Sequence, residues 1–424
     1  MPFTTEIGKT SLYARLCPFP GDGGEQTREA LAAQFREQFG EVPIGGMDTY
    51  SCIPLALEPE QLHYLGRFVK VLDKALCKIA ENYFRDERIR SIYGLDPFLE
   101  SVLAMAEGQP FRTGACRPDF LQTSEGTFKI CEIGARFPLN GWMISYYLNR
   151  FSSSLPGYAY TKTAPLPGLD EIPERFVSFF DTGKVLAVLM DDEKGSEIHW
   201  MLDEMRQRGL DSLIARPQDL EFEDGTIQYN GKELSQFILE MDREELRKFR
   251  PEVLKHMVRT STYINDVRTL ILLHDKRVLA VLYNRAIMRD HLSEEEYALL
   301  TPFLVPSYSL SDPKVRIRIT EDAGDWILKR SSGGRGVDMY VRNECTDAFW
   351  RHTVETRWNE YMVQTFVPQR HYRLEDRIIQ VVGVLLCFNG HFFGTGIYRG
   401  SAYSVVNVHQ GRGIIFPGAV FNSV

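Results

Sequence analysis

A glycine-rich stretch between two apolar strand patterns, ILKRSSGGRGVDMYV, runs from Ile327 to Val341. An apolar strand pattern leads to Lys329, a small and glycine-rich loop follows, and the alternation from Val337 to Val341 predicts a second strand. A dinucleotide fingerprint needs a helix after its glycines and a P-loop needs its lysine after them, so neither motif fits. Two interpretations remain: a plain glycine-rich hairpin turn, or a hairpin whose flexible tip closes over phosphates with Lys329 beneath them.

Composition narrows the class of protein. The chain has 424 residues, 44% hydrophobic and 25% charged, which is typical of a globular protein with a large core. Its net charge of −8 argues against a general nucleic-acid binder. No run reaches the roughly 18 apolar residues of a membrane helix, and the N-terminus has no apolar signal-peptide core. Seven cysteines without a C-x-x-C pair indicate free thiols, so we expect a cytoplasmic protein that binds neither nucleic acid nor membranes.

Periodicity and composition divide the chain into four regions. Residues 1–110 are mostly helical, with a strong amphipathic pattern in EQLHYLGRFVKVLDKALCKIAENYF. Residues 111–175 open with a pair of strands, and residues 176–265 have the texture of a small α/β domain. Residues 266–424 begin with the helical stretch RTLILLHDKRVLAVLYNRAIM and continue through the glycine-rich hairpin to three apolar strands.

A pair of acidic residues lies on the strands predicted in CRPDFLQTSEGTFKICEIGARFP. Asp119 and Glu132 are on adjacent strands, and Glu132 shares its face with Gly134 and Arg136. A carboxylate on an apolar strand is costly to bury unless it is paired. Mg²⁺, which takes one or two carboxylates plus substrate phosphates, would pair it. A structural salt bridge from Glu132 to Arg136 or Arg117 would do the same.

The segment YMVQTFVP follows the hairpin after one predicted helix. A short extended segment of this kind can contact adenine through its backbone N–H and C=O groups, here at positions 364–367. An ordinary core strand that ends at Pro368 would have the same sequence.

Taken together, these motifs resemble the ATP-grasp superfamily, and most closely its circularly permuted branch of eukaryotic-type glutathione synthetase and glutathionylspermidine synthetase. In that branch a strand pair of the form R-x-D … K-x-x-E-x-N precedes a small lid domain and a glycine-rich flap. The matching stretches here are Arg117-Pro-Asp119, Lys129-Ile-Cys-Glu132-Ile-Gly134, Ile327-Leu-Lys329 through Gly336, and Tyr361 to Pro368. The resemblance covers the chain from about residue 112 onward, and the order of the motifs is more specific than any one of them.

The resemblance implies an α+β protein: a circularly permuted ATP-grasp fold, in which two α+β subdomains grip ATP, with a small α/β substrate or lid domain. It also implies an ATP- and Mg²⁺-dependent ligase that joins a carboxylate to an amine through an acyl phosphate, with amino acid or small peptide substrates. Relatives in this branch are often dimers, so a homodimer is the corresponding expectation. A phosphotransferase that acts on a hydroxyl acceptor is the alternative.

Site residues follow from the resemblance, position by position. Glu132 would hold the metal with Asp119 nearby, and Lys329 and Arg285 would contact phosphates. Arg117 and Arg399 would bind a substrate carboxylate or stabilise the developing oxyanion, a task that suits the guanidinium fork, although Arg399 is equally consistent with a surface arginine. The residues covering the phosphates would be Ser331, Ser332, Gly333, Gly334, Arg335 and Gly336. The residues contacting adenine would be Gln364, Thr365, Phe366 and Val367.

Two positions depart from the family's pattern. The asparagine that follows the metal glutamate in the family is replaced by Gly134, and the metal-binding glutamate of the flap is replaced by Ser332. Three consequences are open: another carboxylate substitutes, metal binding is weaker, or the protein binds nucleotide without turnover.

Overall fold

The computed structural model of the chain describes residues 12–17, 23–40, 46, 49–152, 154–155, 161–191, 196–322, 324–334, 336–374, 377–403, 405–406 and 413–422. Its strands are, in chain order, β1 (Arg15–Leu16), β2 (Leu55–Leu57), β3 (Ala115–Gln122), β4 (Phe128–Gly134), β5 (Thr163–Ala164), β6 (Leu186–Leu189), β7 (Ser212–Ala215), β8 (Glu221–Glu223), β9 (Thr226–Tyr229), β10 (Lys232–Leu234), β11 (Gln236–Leu239), β12 (Thr262–Ile264), β13 (Ser307–Ser309), β14 (Trp326–Arg330), β15 (Met339–Val341), β16 (Tyr361–Thr365), β17 (His371–Leu374), β18 (Arg377–Phe388), β19 (His391–Ser401), β20 (Ile414–Phe416) and β21 (Gly418–Phe421). Its α-helices are α1 (Gly23–Phe39), α2 (Pro59–Asn82), α3 (Glu87–Tyr93), α4 (Pro97–Met105), α5 (Met143–Ser152), α6 (Ile172–Val177), α7 (Ser196–Gln207), α8 (Pro251–Thr260), α9 (Val278–Tyr283), α10 (Arg285–Met288), α11 (Glu294–Leu300), α12 (Pro313–Glu321) and α13 (Asp347–Thr356).

Two antiparallel sheets and one parallel sheet position the candidate site. The largest sheet has the order β20-β19-β18-β3-β4, with β17 paired to β18. The second has the order β13-β16-β14-β15 and carries the glycine-rich hairpin. The third, β12-β11-β6-β7, is parallel and lies within residues 176–265. The chain is therefore an α+β protein, as expected from its sequence.

The two hairpins that the sequence predicts are both confirmed. β3 and β4 form an antiparallel pair. β14 and β15 pair through Ile327–Val341, Leu328–Tyr340 and Lys329–Met339, so the glycine-rich loop is the tip of a hairpin.

The prediction of one continuous helix at the start of residues 266–424 is wrong, because the helix is interrupted. Residues 269–273 form one π-helical turn, and α9 begins only at Val278. The break arises because the Asp275 carboxylate accepts hydrogen bonds from the backbone N–H and the guanidinium of Arg277, both at 2.9 Å. A short acidic side chain that bonds its own nearby backbone competes with the helical ladder.

The amphipathic helix predicted near the N-terminus is confirmed as α2, which presents an apolar face to the core. Phe68 on this face is fully buried and stacks on Phe303 with ring centroids 4.1 Å apart. Burying such a side chain contributes about 1.5–3 kcal/mol. Within the described ranges, no helix combines the length and apolar character needed to cross a membrane.

A buried asparagine joins the parallel sheet to the strands of the site. Asn265 follows β12, and its Oδ1 accepts from the N–H of Ala115 at 2.7 Å. Its Nδ2 donates to the carbonyl oxygens of Ala115 and Ala135 at 2.9 and 2.8 Å. Gly114 is required beside it, because a Cβ there would lie 2.2 Å from Oδ1.

Candidate functional site

Two carboxylates face each other across the β3–β4 pair. Asp119 lies directly opposite Glu132, and the register shifts immediately after Asp119. Their side chains are only 22% and 20% exposed. Because like charges directly opposite each other destabilise a strand pair, these two acids need cations close by.

Cationic side chains from distant segments meet this need. Arg399 of β19 donates from Nη2 to Asp119 Oδ2 at 2.5 Å. Lys276, in the break before α9, has Nζ 3.3 Å from Glu132 Oε1. The two acids are therefore each paired, and each with a different cation.

A third cation, Lys329, lies on β14, and none of the described carboxylates forms an ion pair with it. Its side chain is buried, and Nζ donates to the carbonyl oxygen of Cys131 at 3.1 Å. Burial lowers the pKa of Lys329, and the Cys131 thiol and Glu132 only partly oppose this. This charge cluster contains three cations and two carboxylates, namely Lys276, Lys329, Arg399, Asp119 and Glu132. An anion would neutralise its surplus positive charge.

The pKa values of the two carboxylates are shifted in opposite directions. Burial raises the pKa of Asp119, and the Arg399 guanidinium opposes this shift without reversing it. Burial acts in the same direction on Glu132, but the ammonium groups of Lys276 and Lys329 outweigh it and lower the pKa of Glu132. Glu132 is consequently ionised at neutral pH and is the stronger candidate for holding a cation.

The segment 274–277 positions Lys276. His274, Asp275, Lys276 and Arg277 are all buried, although they carry polar or charged side chains. The Asp275 carboxylate bridges two guanidinium groups, with Oδ2 2.7 Å from Arg243 Nη1 and 2.6 Å from Arg277 Nη2. This buried triad holds the segment in place so that Lys276 reaches Glu132.

Sequence reasoning missed this segment. The pattern HDKR lies inside the stretch that the sequence predicts to be helical, and no functional role was assigned to it. The available signal was that four polar residues between apolar neighbours must be buried, and buried charges require partners. What the pattern could not show was the distant partner, Arg243.

The glycine-rich loop is tied to Lys276. The backbone N–H of Lys276 donates to the Ser331 carbonyl at 2.8 Å, and its Nζ donates to the Gly333 carbonyl at 2.8 Å. The N–H of Ser331 donates to the Glu360 carbonyl at 2.7 Å. Gly333 has φ of +88°, a conformation that favours glycine. The loop therefore lies directly beside the charge cluster.

Gly334 of the glycine-rich loop lies close to Arg136. A Cβ on Gly334 would come within 2.8 Å of Arg136 Nη2, so the loop and this guanidinium are in close contact. Arg136 forms an ion pair with Asp242, and the cation at Glu132 is Lys276, so the alternative salt bridge from Glu132 to Arg136 is wrong. Ser332 and Gly336 lie in this loop, whereas Arg335 lies outside the described residues.

Arg117 is held by carbonyl groups. Its Nη1 donates to the Phe137 carbonyl at 3.3 Å and its Nη2 to the Arg136 carbonyl at 3.1 Å. Burial lowers the pKa of Arg117, and the charges of Glu240 and Asp119 oppose this. Of the described carboxylates, none forms an ion pair with it, so the alternative bridge to Glu132 is wrong too. A guanidinium ordered in this way can bind an incoming carboxylate.

The structure does not bring Arg285 to the cluster. Its side chain is 61% exposed and its Nη2 lies 3.6 Å from Glu294 on the surface. The exposed position of Arg285 has a local cause. Asn284 caps a new helix, α10, and its Oδ1 accepts a hydrogen bond from the N–H of Ala286 at 3.1 Å. The predicted phosphate contact by Arg285 gains no support from this placement and stays a prediction.

The predicted adenine contacts are largely engaged in the sheet. The N–H of Thr365 donates to the Pro306 carbonyl at 2.9 Å, and that of Phe366 donates to another backbone carbonyl at 2.7 Å. Gln364 pairs in register with strands on both sides. The N–H groups of Thr365 and Phe366 thus already have backbone partners, and the contact of residues 364–367 with adenine stays a prediction.

Comparisons with known proteins give distant matches. A family model described as the AnkG N-terminal domain matches residues 68–272, slightly less than half of the chain. No curated protein matches. Among solved structures, the chain is similar to a RimK domain protein ATP-grasp from Sphaerobacter thermophilus DSM 20745, with 12% identity over 55% of this chain and 90% of that chain. The TM-score is 0.29, so the assignment of function rests on the site itself.

Proposed function

We propose that the chain is an ATP-dependent ligase of the circularly permuted ATP-grasp type, similar to the glutathione synthetase branch. It would join a carboxylate to an amine, with amino acids or small peptides as substrates. The observation that carries the proposal is the buried cluster with a surplus cation at the base of the glycine-rich loop. A buried, incompletely neutralised ammonium group is costly, and the phosphates of ATP would neutralise it.

Each side chain has a role in this proposal. Lys329 and Lys276 bind phosphates as point charges, and the loop from Ser331 excludes water from the reacting groups. Arg117 binds the substrate carboxylate, and Arg399 holds Asp119 in place and stabilises negative charge that develops beside it.

The chemistry follows the general pattern of phosphoryl and acyl transfer. A carboxylate oxygen of the substrate attacks the γ-phosphorus of ATP, and the bond to the β–γ bridging oxygen breaks, which releases ADP. The amine then attacks the carbonyl carbon of the acyl phosphate. Phosphate leaves, the amine loses a proton, and an amide remains. Exclusion of water matters because an acyl phosphate hydrolyses when water reaches it.

The described residues fit Mg²⁺ only together with a nucleotide. Mg²⁺ commonly takes one or two carboxylates plus substrate phosphates, and Asp119 and Glu132 supply two carboxylates. Within the described ranges, no group of three or more His, Cys, Asp or Glu side chains is arranged to hold a metal. Glycine at position 134 and serine at position 332 add no carboxylate. When bound, Mg²⁺ would neutralise charge on the transferred phosphoryl group.

The replacement Glu132→Gln tests the metal assignment. We expect at least a tenfold rise in the Mg²⁺ concentration that half-saturates binding of the ATP analogue AMP-PNP, since even second-shell changes cost metal sites about that much. The measurement is a calorimetric titration at several Mg²⁺ concentrations. The control is Glu296→Gln, which removes a surface carboxylate 2.6 Å from Lys74. An unchanged Mg²⁺ requirement in Glu132→Gln removes this residue from the metal site.

The replacement Arg117→Lys tests the substrate carboxylate site. Lysine keeps the charge but loses the planar fork, so the KM for the acid substrate should rise by about tenfold or more while the KM for ATP stays constant. Steady-state kinetics with both substrates varied separates the two constants. Arg88→Lys, at a half-exposed arginine paired with Asp86, is the matched control. Equal effects on both constants are incompatible with the role given to Arg117.

The decisive experiment for the function is ADP release with Mg²⁺ and ATP across a panel of amino acids and small peptides, singly and in pairs. Mass spectrometry of each mixture identifies the product. A condensation product formed only when an acid and an amine are both present supports the ligase. A stable phosphorylated acceptor indicates the phosphotransferase instead. Nucleotide binding without acceptor-dependent ADP release indicates a non-catalytic protein, the outcome that Gly134 and Ser332 favour.

A further inference from the structure

The loop between β4 and α5 surrounds the guanidinium group of Arg117. Its Nη1 and Nη2 donate to the carbonyls of Phe137 and Arg136. Gly141, whose φ is +87°, approaches the same group so closely that a Cβ there would lie 2.7 Å from Nη1. These contacts fix the direction of the guanidinium, and they engage two of the five N–H donors that an arginine carries.

The loop backbone adopts a conformation that needs support. Phe137 has φ of +51°, in the left-handed region that residues with a side chain rarely adopt. Strained backbone of this kind persists only where the surrounding structure determines it. Because Phe137 supplies one of the carbonyls that bind Arg117, whatever holds the loop also sets the position of the guanidinium.

A carboxylate of the parallel-sheet region supplies this support. Glu240 directly follows β11 and is fully buried. Its Oε2 accepts a hydrogen bond from the N–H of Leu139 at 2.6 Å, and its Oε1 accepts one from the N–H of Asn140 at 3.1 Å. Hydrogen bonds to an ionised carboxylate are stronger than those between neutral groups. Both oxygens of Glu240 therefore hold the middle of the loop.

The neighbouring residues of the same segment act on the start of the loop. Asp242, two positions after Glu240, forms an ion pair with Arg136. In the sheet order β12-β11-β6-β7, the chain continues from β6 to β7 on one side and returns to β11 on the other. Open α/β sheets bind ligands outside the carboxyl ends of their strands at such a reversal. Glu240 lies at this end of β11, so the loop of Arg117 meets the sheet where a substrate is expected.

Glu240 also affects the charge of Arg117. Burial lowers the pKa of Arg117, and among the nearby carboxylates Glu240 opposes this shift most strongly. A guanidinium that keeps its charge and its direction is well suited to bind a carboxylate through its planar fork.

We propose that Glu240 is a positioning residue for the acid substrate: through the N–H groups of Leu139 and Asn140 it holds the loop that orients the Arg117 guanidinium. This inference rests on the proposed function, in which Arg117 binds the substrate carboxylate. The parallel-sheet region thus contributes to recognition of the acid through the loop, while Glu240 itself stays buried.

The first test is steady-state kinetics of Glu240→Gln with the acid and ATP varied separately. The amide keeps the shape, but its NH₂ group faces a backbone N–H. The KM for the acid should rise by about tenfold, the equivalent of one lost charge-assisted hydrogen bond, while the KM for ATP stays constant. The control is Glu204→Gln, at a buried carboxylate of the same region that accepts from Tyr147 Oη at 2.7 Å. An unchanged KM for the acid, or an equal rise in both constants, overturns the proposal.

A double-mutant cycle with Arg117→Lys separates positioning from general stability. If Glu240 acts through the guanidinium fork, Glu240→Gln adds little to the KM for the acid once that fork is gone. Full additivity of the two effects overturns the proposal. If Glu240→Gln does not fold, Glu240→Asp takes its place in the cycle, because it keeps the charge but withdraws the oxygens from the loop.

The last test needs no substrate. Phenylglyoxal modifies accessible arginine side chains, and peptide mass spectrometry measures the rate at Arg117. We expect a several-fold faster reaction in Glu240→Gln than in the wild type and in Glu204→Gln, because the loop no longer encloses the guanidinium. Equal rates overturn the proposal. If the wild type shows no acid-dependent ADP release, the proposed function fails, while the labelling rates still decide whether Glu240 positions Arg117.

Discussion

Replacement of Lys329 with methionine is expected to lower acceptor-dependent ADP formation by about 10²–10³-fold, the range that removal of one preorganised charge-stabilising group costs in enzyme sites. Lys329 is buried beneath the glycine-rich loop, and in the part of the chain that the structure describes no carboxylate forms an ion pair with its ammonium group. Among the cations of the cluster, Lys329 is therefore expected to contribute most to the stabilisation of bound phosphates. The measurement is the initial rate of ADP formation with the substrate pair identified by the panel.

The same variant separates function from folding. Methionine is similar in length and apolar, so it removes a costly buried charge without opening a cavity. We expect thermal stability equal to or above that of the wild type. Lys129→Met is the control for activity, because its ammonium group bonds the Leu304 carbonyl away from the cluster. ADP formation near the wild-type rate in Lys329→Met would rule out the phosphate role of the hairpin.

Replacement of Asp275 with asparagine is expected to lower the free energy of unfolding by about 3–5 kcal/mol, as happens when one partner of a buried ion pair is removed. Asparagine keeps the shape but removes the carboxylate that pairs with Arg243 and Arg277, whose side chains are 8% and 6% exposed. Of the described ion-pair partners, Arg243 then keeps only the more distant Glu244, 3.6 Å from its Nε. The measurement is urea unfolding followed by circular dichroism.

A surface ion pair provides the comparison for this effect. Asp203 lies 2.9 Å from Arg206, and the two side chains are 63% and 45% exposed. Asp203→Asn should change stability by no more than about 1 kcal/mol, because solvent screens the pair. Equal stability losses in the two variants would mean that Asp275 does not hold the segment 274–277.

Sequence alone determined the local parts of this protein. Alternation of apolar residues predicts β3, β4 and the β14–β15 hairpin, and the helical period predicts α2, all of which the structure contains. The sequence also places Asp119 and Glu132 on adjacent strands, whereas the register shift after Asp119, which sets the two residues opposite each other, is seen only in the structure. The predicted strands and helix depend on residues that are close together in the chain. The repeat of side-chain directions, about every 2 residues in a strand and about every 3.6 in a helix, is enough to predict them.

Tertiary structure alone decided which charges meet. Lys276 reaches Glu132 because Arg243, 32 residues before Asp275, anchors the segment that carries it. Arg285 turns to the surface, and the N–H groups of Thr365 and Phe366 are engaged in the sheet. Such pairings join residues that are distant along the chain. They form because a charge or hydrogen-bonding group that is buried without a partner costs free energy. No local period in the sequence encodes that cost, so the pairing of the charges, and the place of Lys276 among them, became visible only in the folded chain.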